Sequence, residues 1–301
     1  MTLNENSLSL NAVIGFYSGY TSLDTEKGGL RVFVETFRKY NKVDFIIVTL
    51  VLPINCSELL EFCNIHNCII EPVILDDVKT GNRWVPYKSI LEKERYSKLE
   101  KILVMDMNDA MFTADPFLIE CKDKLYCAAE KTLYNIKADY HNMNSMKINT
   151  NWMNKVNING VPAINQYGKI NDSNLEQDKP KNYSERCIFN KPVLCSGSIL
   201  GKKDIILKLF EWSSNLTGAD QGMLNIYAYL VNSSNCIIPN LNVSDILTMD
   251  SLDFNKDLTQ DIHGFILNKL NKRYSICHQI DRGCNLEHFL KLGDLIKNKD
   301  V

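Results

Sequence analysis

The sequence predicts an α/β fold with a mostly parallel central sheet and helices on both faces. Two observations support this fold class. Short apolar runs rich in β-branched residues alternate with amphipathic stretches, and several of the apolar runs end in small or polar residues. Such alternation is typical of parallel strands joined by helical crossovers. The chain has 301 residues, 45% of them hydrophobic and 23% charged, and is therefore long enough to cover both faces of a sheet.

The first third of the chain predicts three strands joined by two helices. "NAVIGFYSG" (11–19) predicts a buried strand, and an amphipathic helix follows near 30–40. Apolar strands are predicted at 44–52 and 68–75, on either side of a helix at 57–67. One helix thus separates each pair of strands, which is the connection that parallel neighbours need.

The middle of the chain begins regularly and then loses its pattern. A helix is predicted within 83–100, followed directly by the strand "ILVM" (102–105) and by another strand at 124–130. Between 139 and 190 the chain is rich in asparagine, and its few apolar residues recur at no useful period. We interpret this segment as an insertion or loop region, either a lid that orders over a ligand or a disordered insert.

The pattern resumes at Lys191. A strand containing "VLCSGSILG" precedes a helix at 203–213, a second helix begins in "GADQGM", and the short apolar strand in "YSICHQ" ends in polar residues. The sequence shows no internal repeat. We therefore interpret the whole chain, 1–301, as one domain.

Composition argues against several classes of function. A formal net charge of -2 gives no general attraction to nucleic acid or to an anionic membrane surface, and no run approaches the roughly 20 apolar residues of a membrane span. Ten cysteines are spread over a chain whose first residues are polar and unlike a secretory leader, which favours a reducing, cytoplasmic compartment. Cys56, Cys63, His66 and Cys68 are of the types that bind Zn²⁺. Since they straddle a predicted helix and strand, buried thiols explain this stretch as well.

The clearest candidate site follows the strand "ILVM". In open α/β sheets, ligands bind beyond the carboxyl ends of the strands, and Asp106, Asn108 and Asp109 lie at such an end. Their carboxylate and amide oxygens are the hard ligands that Mg²⁺ or Mn²⁺ prefers. The alternative is that one aspartate stabilises a turn and the other is solvated.

Three further stretches carry polar groups at ends of predicted elements. Asp220 and Gln221 open a helix, Ser196 and Gly197 lie in "VLCSGSILG", and His278 ends the last strand. Each has an ordinary structural explanation: helix capping for Asp220, hydrogen bonding to a turn for the serine, and a structural hydrogen bond for the histidine.

Taken in order, these stretches resemble the nucleotide-sugar-dependent glycosyltransferases with the A-type fold. "RWVPYKSILEKERYSKLEKILVMDMND" resembles that family's run from a nucleotide-contacting arginine to its Asp-x-Asp metal motif, and "DQGMLN" is similar to a motif of glycogenin and the bacterial lipopolysaccharide galactosyltransferases. The resemblance implies a single Rossmann-like nucleotide-diphospho-sugar transferase domain. Its parts would be a nucleotide-binding half (11–138), the asparagine-rich region (139–190) and an acceptor-side half (191–301).

The resemblance also implies a metal and nucleotide site that uses Mn²⁺ or Mg²⁺. Asp106 would contact the ribose or the metal, Asp109 would be the main metal ligand, and His278 would be the C-terminal metal-binding histidine. Because "DMND" is one residue longer than Asp-x-Asp, either Asn108 or Asp109 completes the site. His263 is a second candidate ligand, ranked behind His278 because it follows no predicted strand.

The remaining implied roles concern the donor and the acceptor. The implied base contacts are Phe16, Tyr17 and Ser18; the implied diphosphate and donor-sugar contacts are Arg83 and Arg282; and the residues implied to face the sugar and acceptor are Ser196, Gly197, Asp220 and Gln221. The lysine of the family's end motif is absent after His278, so Arg282 is the candidate to replace it.

The implied reaction moves a sugar from a nucleoside-diphosphate sugar, with UDP as the expected nucleotide, to a hydroxyl of a glycan or glycoconjugate acceptor. Asp220 would be the general base if the reaction inverts. If the reaction retains, which the Asp-Gln pair favours, Asp220 and Gln221 would position the acceptor and stabilise the transition state. A metal-dependent nucleotidyltransferase or phosphohydrolase and a non-catalytic sugar-binding relative stay as alternatives, and the assembly admits a homodimer.

Overall fold

The computed structural model describes residues 10–17, 22–24, 29–51, 56–74, 82–133, 148–149, 151–163, 191–249, 252, 257–282 and 286–298. Ser18 and most of the asparagine-rich segment lie outside these described residues.

The described residues form a central sheet of seven strands. Its strands are β1 (Leu10–Phe16), β2 (Phe45–Val51), β3 (Cys68–Val73), β4 (Leu99–Met105), β6 (Leu125–Leu133), β9 (Pro192–Lys202) and β11 (Cys236–Ile237). Their order is β11-β6-β9-β4-β1-β2-β3. All pairs are parallel except the two that β9 makes with β4 and β6. The predicted α/β class with a mostly parallel sheet is therefore confirmed.

Helices cover both faces of this sheet. They are α1 (Gly29–Tyr40), α2 (Ser57–Ile65), α3 (Trp84–Leu91), α4 (Lys203–Ser213), α5 (Asp220–Ile226) and α6 (Leu286–Asn298). Because successive side chains of a strand point to opposite faces, β1 divides its residues between two cores. Ala12 and Ile14 pack in one core with aromatic residues of α3 and α4, whereas Val13 packs in the other with Phe33 and Phe37 of α1.

A small second sheet extends the carboxyl edge of the first. It contains β12 (Ile246–Thr248), β15 (Ile276–His278) and β5 (Ala110–Phe112), in that order. β15 runs antiparallel to β5, with His278 opposite Ala110. The last strand of the sequence pattern is therefore fixed beside the residues that follow the acidic loop.

Two predicted elements differ from the structure. The helix predicted within 83–100 ends at Leu91; a 3₁₀ turn at Glu94–Tyr96 follows, and β4 begins at Leu99. This turn is held because Glu71, 1% exposed on β3, accepts hydrogen bonds from Lys93 Nζ at 2.6 Å and Tyr96 Oη at 2.7 Å. The helix that begins in "GADQGM" continues after Ile226 as a π-helical turn at Tyr227–Val231.

The shorter elements are β7 (Asn157–Ile158), β8 (Val161–Pro162) and β10 (Leu216–Thr217), which form one small sheet, and the pair β13 (Thr259–Gln260) and β14 (Ile266–Leu267). Within the described ranges, no helix is both long and apolar enough to cross a membrane.

Candidate functional site

The acidic loop after β4 is held in place by its backbone. The Asp106 amide donates to the Gly197 carbonyl at 3.1 Å, and the Asp109 carbonyl accepts from the Ile280 amide at 3.1 Å. These two bonds tie the loop to β9 on one side and to the chain after β15 on the other. The strand-end carboxylates are therefore fixed at the carboxyl edge of the sheet, where the sequence predicted a ligand site.

Three side chains converge at this edge. His278 Nε2 lies 3.4 Å from Asp109 Oδ1 and 3.7 Å from Asp106 Oδ2. The candidate ligand atoms of the three residues all lie within 4.8 Å of one another. In the described part of the chain this is the one histidine, cysteine and carboxylate cluster whose spacing could hold a metal ion. Neither His263 nor the group of Cys56, Cys63, His66 and Cys68 belongs to it.

The hydrogen bonding of these side chains fits a cation. Asp109 Oδ1 and His278 Nε2 are buried and have no hydrogen-bond partner in the described protein. A buried polar atom without a partner is costly, and a cation bound by both atoms would satisfy them. Two carboxylates and one imidazole suit Mg²⁺ or Mn²⁺.

The other ring nitrogen of His278 sets the direction of the imidazole. Its Nδ1 lies 2.9 Å from Ser198 Oγ and 3.4 Å from Cys195 Sγ, both on β9. A hydrogen bond to one nitrogen fixes the ring and aims the other at the ligand position, as is common for metal-binding histidines. Cys195 was not identified from the sequence as a site residue.

The charges of the cluster shift the pKa values of its members. Burial alone would lower the pKa of His278, but the acidic groups around it, Cys195, Asp109 and Asp106, raise that pKa well above its ordinary value. Burial alone would raise the pKa of Asp106, but the positive charges of Arg83 and His278 outweigh burial and lower it. In the absence of a cation, a proton on His278 thus balances the carboxylates.

Arg83 connects the acidic loop to the start of α5. Its Nη1 donates to Asp106 Oδ1, and its Nε donates to Asp220 Oδ2 at 2.5 Å. Arg83 immediately precedes α3, whose Trp84 and Tyr87 are buried and anchor its position. One guanidinium therefore joins a carboxylate of the metal cluster to a carboxylate that the sequence predicted to face the sugar.

Gly197 provides the space in which this cluster fits. A Cβ atom at this position would lie 2.3 Å from Asp106 Oδ2 and 2.7 Å from His278 Cε1. Neither neighbour is the end of a long flexible side chain. Position 197 therefore requires glycine for the cluster to form. Ser196, beside it, donates from Oγ to Asp220 Oδ1 at 3.1 Å.

Gln221 is held by two residues that the sequence analysis missed. Its Nε2 donates to Asn149 Oδ1 at 2.6 Å and to Glu130 Oε1 at 3.2 Å. Glu130 is 4% exposed and lies in β6, near the carboxyl end of the strand. Asp106 was identified because its carboxylate lies near the end of a predicted strand. Glu130 meets the same criterion, since it is the last residue of the strand predicted at 124–130.

The predicted base contacts lie at the end of β1. Phe16 is buried and its ring centroid lies 5.1 Å from that of Tyr87. Tyr17 is 1% exposed, and its hydroxyl donates to the Ser22 carbonyl at 2.7 Å. The Tyr17 hydroxyl is thus already used to hold the following loop, and base binding by these residues stays a prediction.

Two other residues predicted for the site, Asn108 and Arg282, lie close in sequence to members of the metal cluster. The Asn108 carbonyl accepts from the Gly29 amide at 2.8 Å, so its backbone fixes the start of α1. Arg282 is exposed, with Nε 3.6 Å from Asp281 Oδ1. The Asp109 side chain converges with those of Asp106 and His278.

The fold and this cluster define an α/β protein with a candidate divalent-cation site at the carboxyl edge of its sheet. No known family model matches the sequence, and no curated protein sequence matches it.

Solved structures that are similar to the chain include several glycosyltransferases. The WbbM bifunctional glycosyltransferase is 12% identical with a TM-score of 0.46, over 99% of this chain and 51% of that chain. Mouse xyloside xylosyltransferase 1 is 10% identical with a TM-score of 0.48, over 93% of this chain and 99% of that chain. GlyE of Streptococcus pneumoniae TIGR4 is 13% identical with a TM-score of 0.46, over 97% of this chain and 63% of that chain. The chain spans about half the length of WbbM. At identities this low, function depends on the side chains of the site rather than on the fold.

Proposed function

We propose that this protein is a metal-dependent glycosyltransferase that moves a sugar from a nucleoside-diphosphate sugar, with UDP as the expected nucleotide, to a hydroxyl group of a glycan or glycoconjugate. The observation that carries the proposal is the convergence of Asp106, Asp109 and His278 next to Arg83, which also contacts Asp220. This arrangement offers a cation position and a guanidinium to a diphosphate, with a further carboxylate where a sugar would follow.

Three residues would hold the cation, and each supplies a suitable atom. Asp109 Oδ1 and His278 Nε2 are the buried atoms that lack a partner, and Asp106 contributes a second carboxylate. A bound Mn²⁺ or Mg²⁺ would supply positive charge that stabilises the leaving diphosphate.

Arg83 would bind the diphosphate and release its present partners in doing so. Its guanidinium can make paired hydrogen bonds to phosphate oxygens, which are stronger than bonds to neutral acceptors. Once Arg83 turns to the donor, Asp220 is freed to face the sugar, still oriented by Ser196 Oγ and the Gln221 amide at 2.8 Å.

The bond changes follow from this placement. The acceptor hydroxyl oxygen forms a bond to the anomeric carbon while the bond from that carbon to the diphosphate oxygen breaks. In a retaining reaction the hydroxyl proton leaves with the diphosphate, and Asp220 and Gln221 hold the acceptor and the developing positive charge. In an inverting reaction Asp220 takes the proton. The Asp-Gln pair favours retention.

The products of sugar-nucleotide turnover test this proposal. We expect release of nucleoside diphosphate, faster with mono- and disaccharide acceptors present than without, and strongly reduced in Asp220→Asn. Release of nucleoside monophosphate or pyrophosphate would show that a different bond breaks, and would point instead to a phosphohydrolase or nucleotidyltransferase.

A further inference from the structure

A cavity lies beside Glu130, and none of the three residues of the metal cluster lines it. Its volume is about 750 Å³, within the range of roughly 300–1,000 Å³ that small-molecule sites occupy. Glu130 lines it, and the same carboxylate accepts a hydrogen bond from Gln221 Nε2. Strand β9 separates β6, which carries Glu130, from β4, which leads into Asp106. Glu130 therefore links the cavity to Gln221, a residue that the proposed function places at the acceptor.

The lining of the cavity combines positive charge with apolar surface. Three lysines contribute to it, Lys131, Lys191 and Lys269, together with Ile238, Leu241 and Leu252. A sugar has the same two characters, because its hydroxyl groups are polar and its C–H faces are apolar. The shape and chemistry of the cavity thus suit a saccharide.

Two of the three lysines form no ion pair among the residues that the structure describes. Lys131 Nζ donates to Asp257 Oδ2 at 2.8 Å, so these two lining charges balance each other. Glu130 already accepts from Gln221. Among the residues that the structure describes, neither Lys191 nor Lys269 has a carboxylate within ion-pair distance. The lining thus sets three ammonium groups against the carboxylates of Glu130 and Asp257, which leaves one positive charge in excess.

Lys191 has a defined place in the wall. Its Nζ lies 5.1 Å from the centroid of the Tyr229 ring, and the Tyr229 hydroxyl donates to the Pro192 carbonyl at 2.5 Å. An ammonium held over an aromatic face keeps its charge and still has hydrogens to donate. An anion that enters the cavity would meet a prearranged donor at Lys191.

We infer that this cavity binds an acidic sugar, one that carries a carboxylate or a phosphate, as the acceptor of the transfer reaction. This inference rests on the proposed function. The oxyanion would bind Lys191 and Lys269, while the sugar ring contacts the apolar wall and directs a hydroxyl towards Gln221 and Asp220. The hydroxyl then attacks the anomeric carbon of the donor, and its proton leaves as described above.

Equilibrium binding of simple sugars tests the cavity without any turnover. The probes are methyl glucuronide, glucose 6-phosphate and neutral methyl glucoside, titrated by calorimetry at low and high salt. We expect the acidic probes to bind at least about ten-fold more tightly than the neutral one, with a preference that weakens as salt increases. The tighter of the two acidic probes identifies the oxyanion as carboxylate or phosphate.

Variants assign the preference to the two lysines. In Lys191→Ala/Lys269→Ala the acidic probes should lose their advantage, and in Lys191→Arg/Lys269→Arg the advantage should persist. Lys98→Ala is the matched control, because Lys98 is exposed and directly precedes β4, at the amino-terminal end of that strand. Equal binding of acidic and neutral probes, or an advantage that survives in the double alanine variant, would overturn the inference.

Titration with UDP and Mn²⁺ separates this inference from the proposed function. If UDP binds with metal and the acidic probes show no preference, the cavity assignment fails and the proposed function stands. If the acidic probes bind through the two lysines and neither UDP nor any other nucleoside diphosphate binds with metal, the cavity assignment stands as a binding site and the proposed function fails.

Discussion

His278 Nε2 lies 3.4 Å from Asp109 Oδ1, and neither atom has a hydrogen-bond partner in the described protein. The two residues are far apart in sequence and meet because β15 pairs with β5. A histidine with a raised pKa that faces two carboxylates marks a position where a cation can replace a proton.

Metal binding should release a proton. The pKa of His278 is raised above its ordinary value, so the imidazole is protonated at neutral pH in the metal-free protein and must lose that proton to bind Mn²⁺. Titration calorimetry of Mn²⁺ in buffers of different ionisation enthalpy should show release of about one proton, with affinity that increases with pH. Affinity independent of pH would contradict a ligand role for His278.

The stability of the metal-free protein should fall at high pH. A raised folded-state pKa means that the contribution of His278 is fully present below its unfolded pKa of about 6.5, and is lost as the pH rises through the folded value. The thermal unfolding midpoint should therefore be lower at pH 9 than at pH 6 without metal, and saturating Mn²⁺ should reduce or reverse this difference. His278→Gln should reduce this pH dependence, and an unchanged dependence in that variant would contradict the role given to His278.

Gly197→Ala should disrupt the cluster. The added Cβ would lie 2.3 Å from Asp106 Oδ2, so the loop must shift, at a cost of about 1–3 kcal/mol in unfolding free energy. Gly201→Ala, on the same strand, is the control, since its Cβ would meet side-chain atoms at 3.5 Å, an ordinary contact. Chemical denaturation should show destabilisation and Mn²⁺ titration should show lost affinity in the first variant, with both retained in the second. Equal effects in the two variants would contradict the steric argument.

Arg83→Lys tests whether transfer depends only on the positive charge of Arg83 or also on the bridge that its guanidinium makes. Lysine keeps the positive charge beside Asp106 but cannot bridge two carboxylates as the guanidinium does. We expect the protein to remain folded and transfer to fall by about 10²-fold or more, the scale for losing one transition-state donor. Full activity in Arg83→Lys would show that the paired geometry has no part in the reaction.

Glu130→Gln should lower kcat more than it changes donor affinity. The carboxylate holds Gln221 Nε2, and the substitution weakens that hold without altering Asp106, Asp109 or His278. Steady-state kinetics should show a reduced kcat with a nearly unchanged KM for the sugar nucleotide, and Glu120→Gln, which is exposed, should match the original protein. A KM increase with kcat unchanged would place Glu130 in donor binding instead.

Sequence patterns predicted those elements whose formation depends on residues close together along the chain. The helix at 203–213 matches α4, because its apolar residues recur at helical spacing and bury Ile206, Leu209 and Phe210 on one side. The helix predicted within 83–100 was too long, because the contacts of Glu71 with Lys93 and Tyr96 join segments that are far apart in sequence.

The sequence identified several residues of the site one by one. It did not show how their side chains are arranged in space. Asp106 and His278 each end a strand, which sequence patterns detect. The pairing that brings His278 opposite Ala110, and the bridge from Arg83 to Asp220, depend on tertiary contacts that no spacing encodes. Glu130 ends a predicted strand and could have been identified in the same way as Asp106, but its contact with Gln221 is again a tertiary one.

Calorimetric titration of UDP and other nucleoside diphosphates into the protein, with and without Mn²⁺, tests the central claim most directly. Asp109→Asn is the matched variant, because it preserves size and removes the charge of the ligand carboxylate. We expect one nucleoside diphosphate to bind only in the presence of Mn²⁺, and this binding to be lost in Asp109→Asn. Absence of binding for every nucleoside diphosphate in the presence of Mn²⁺, or binding that is unchanged in Asp109→Asn, would contradict it.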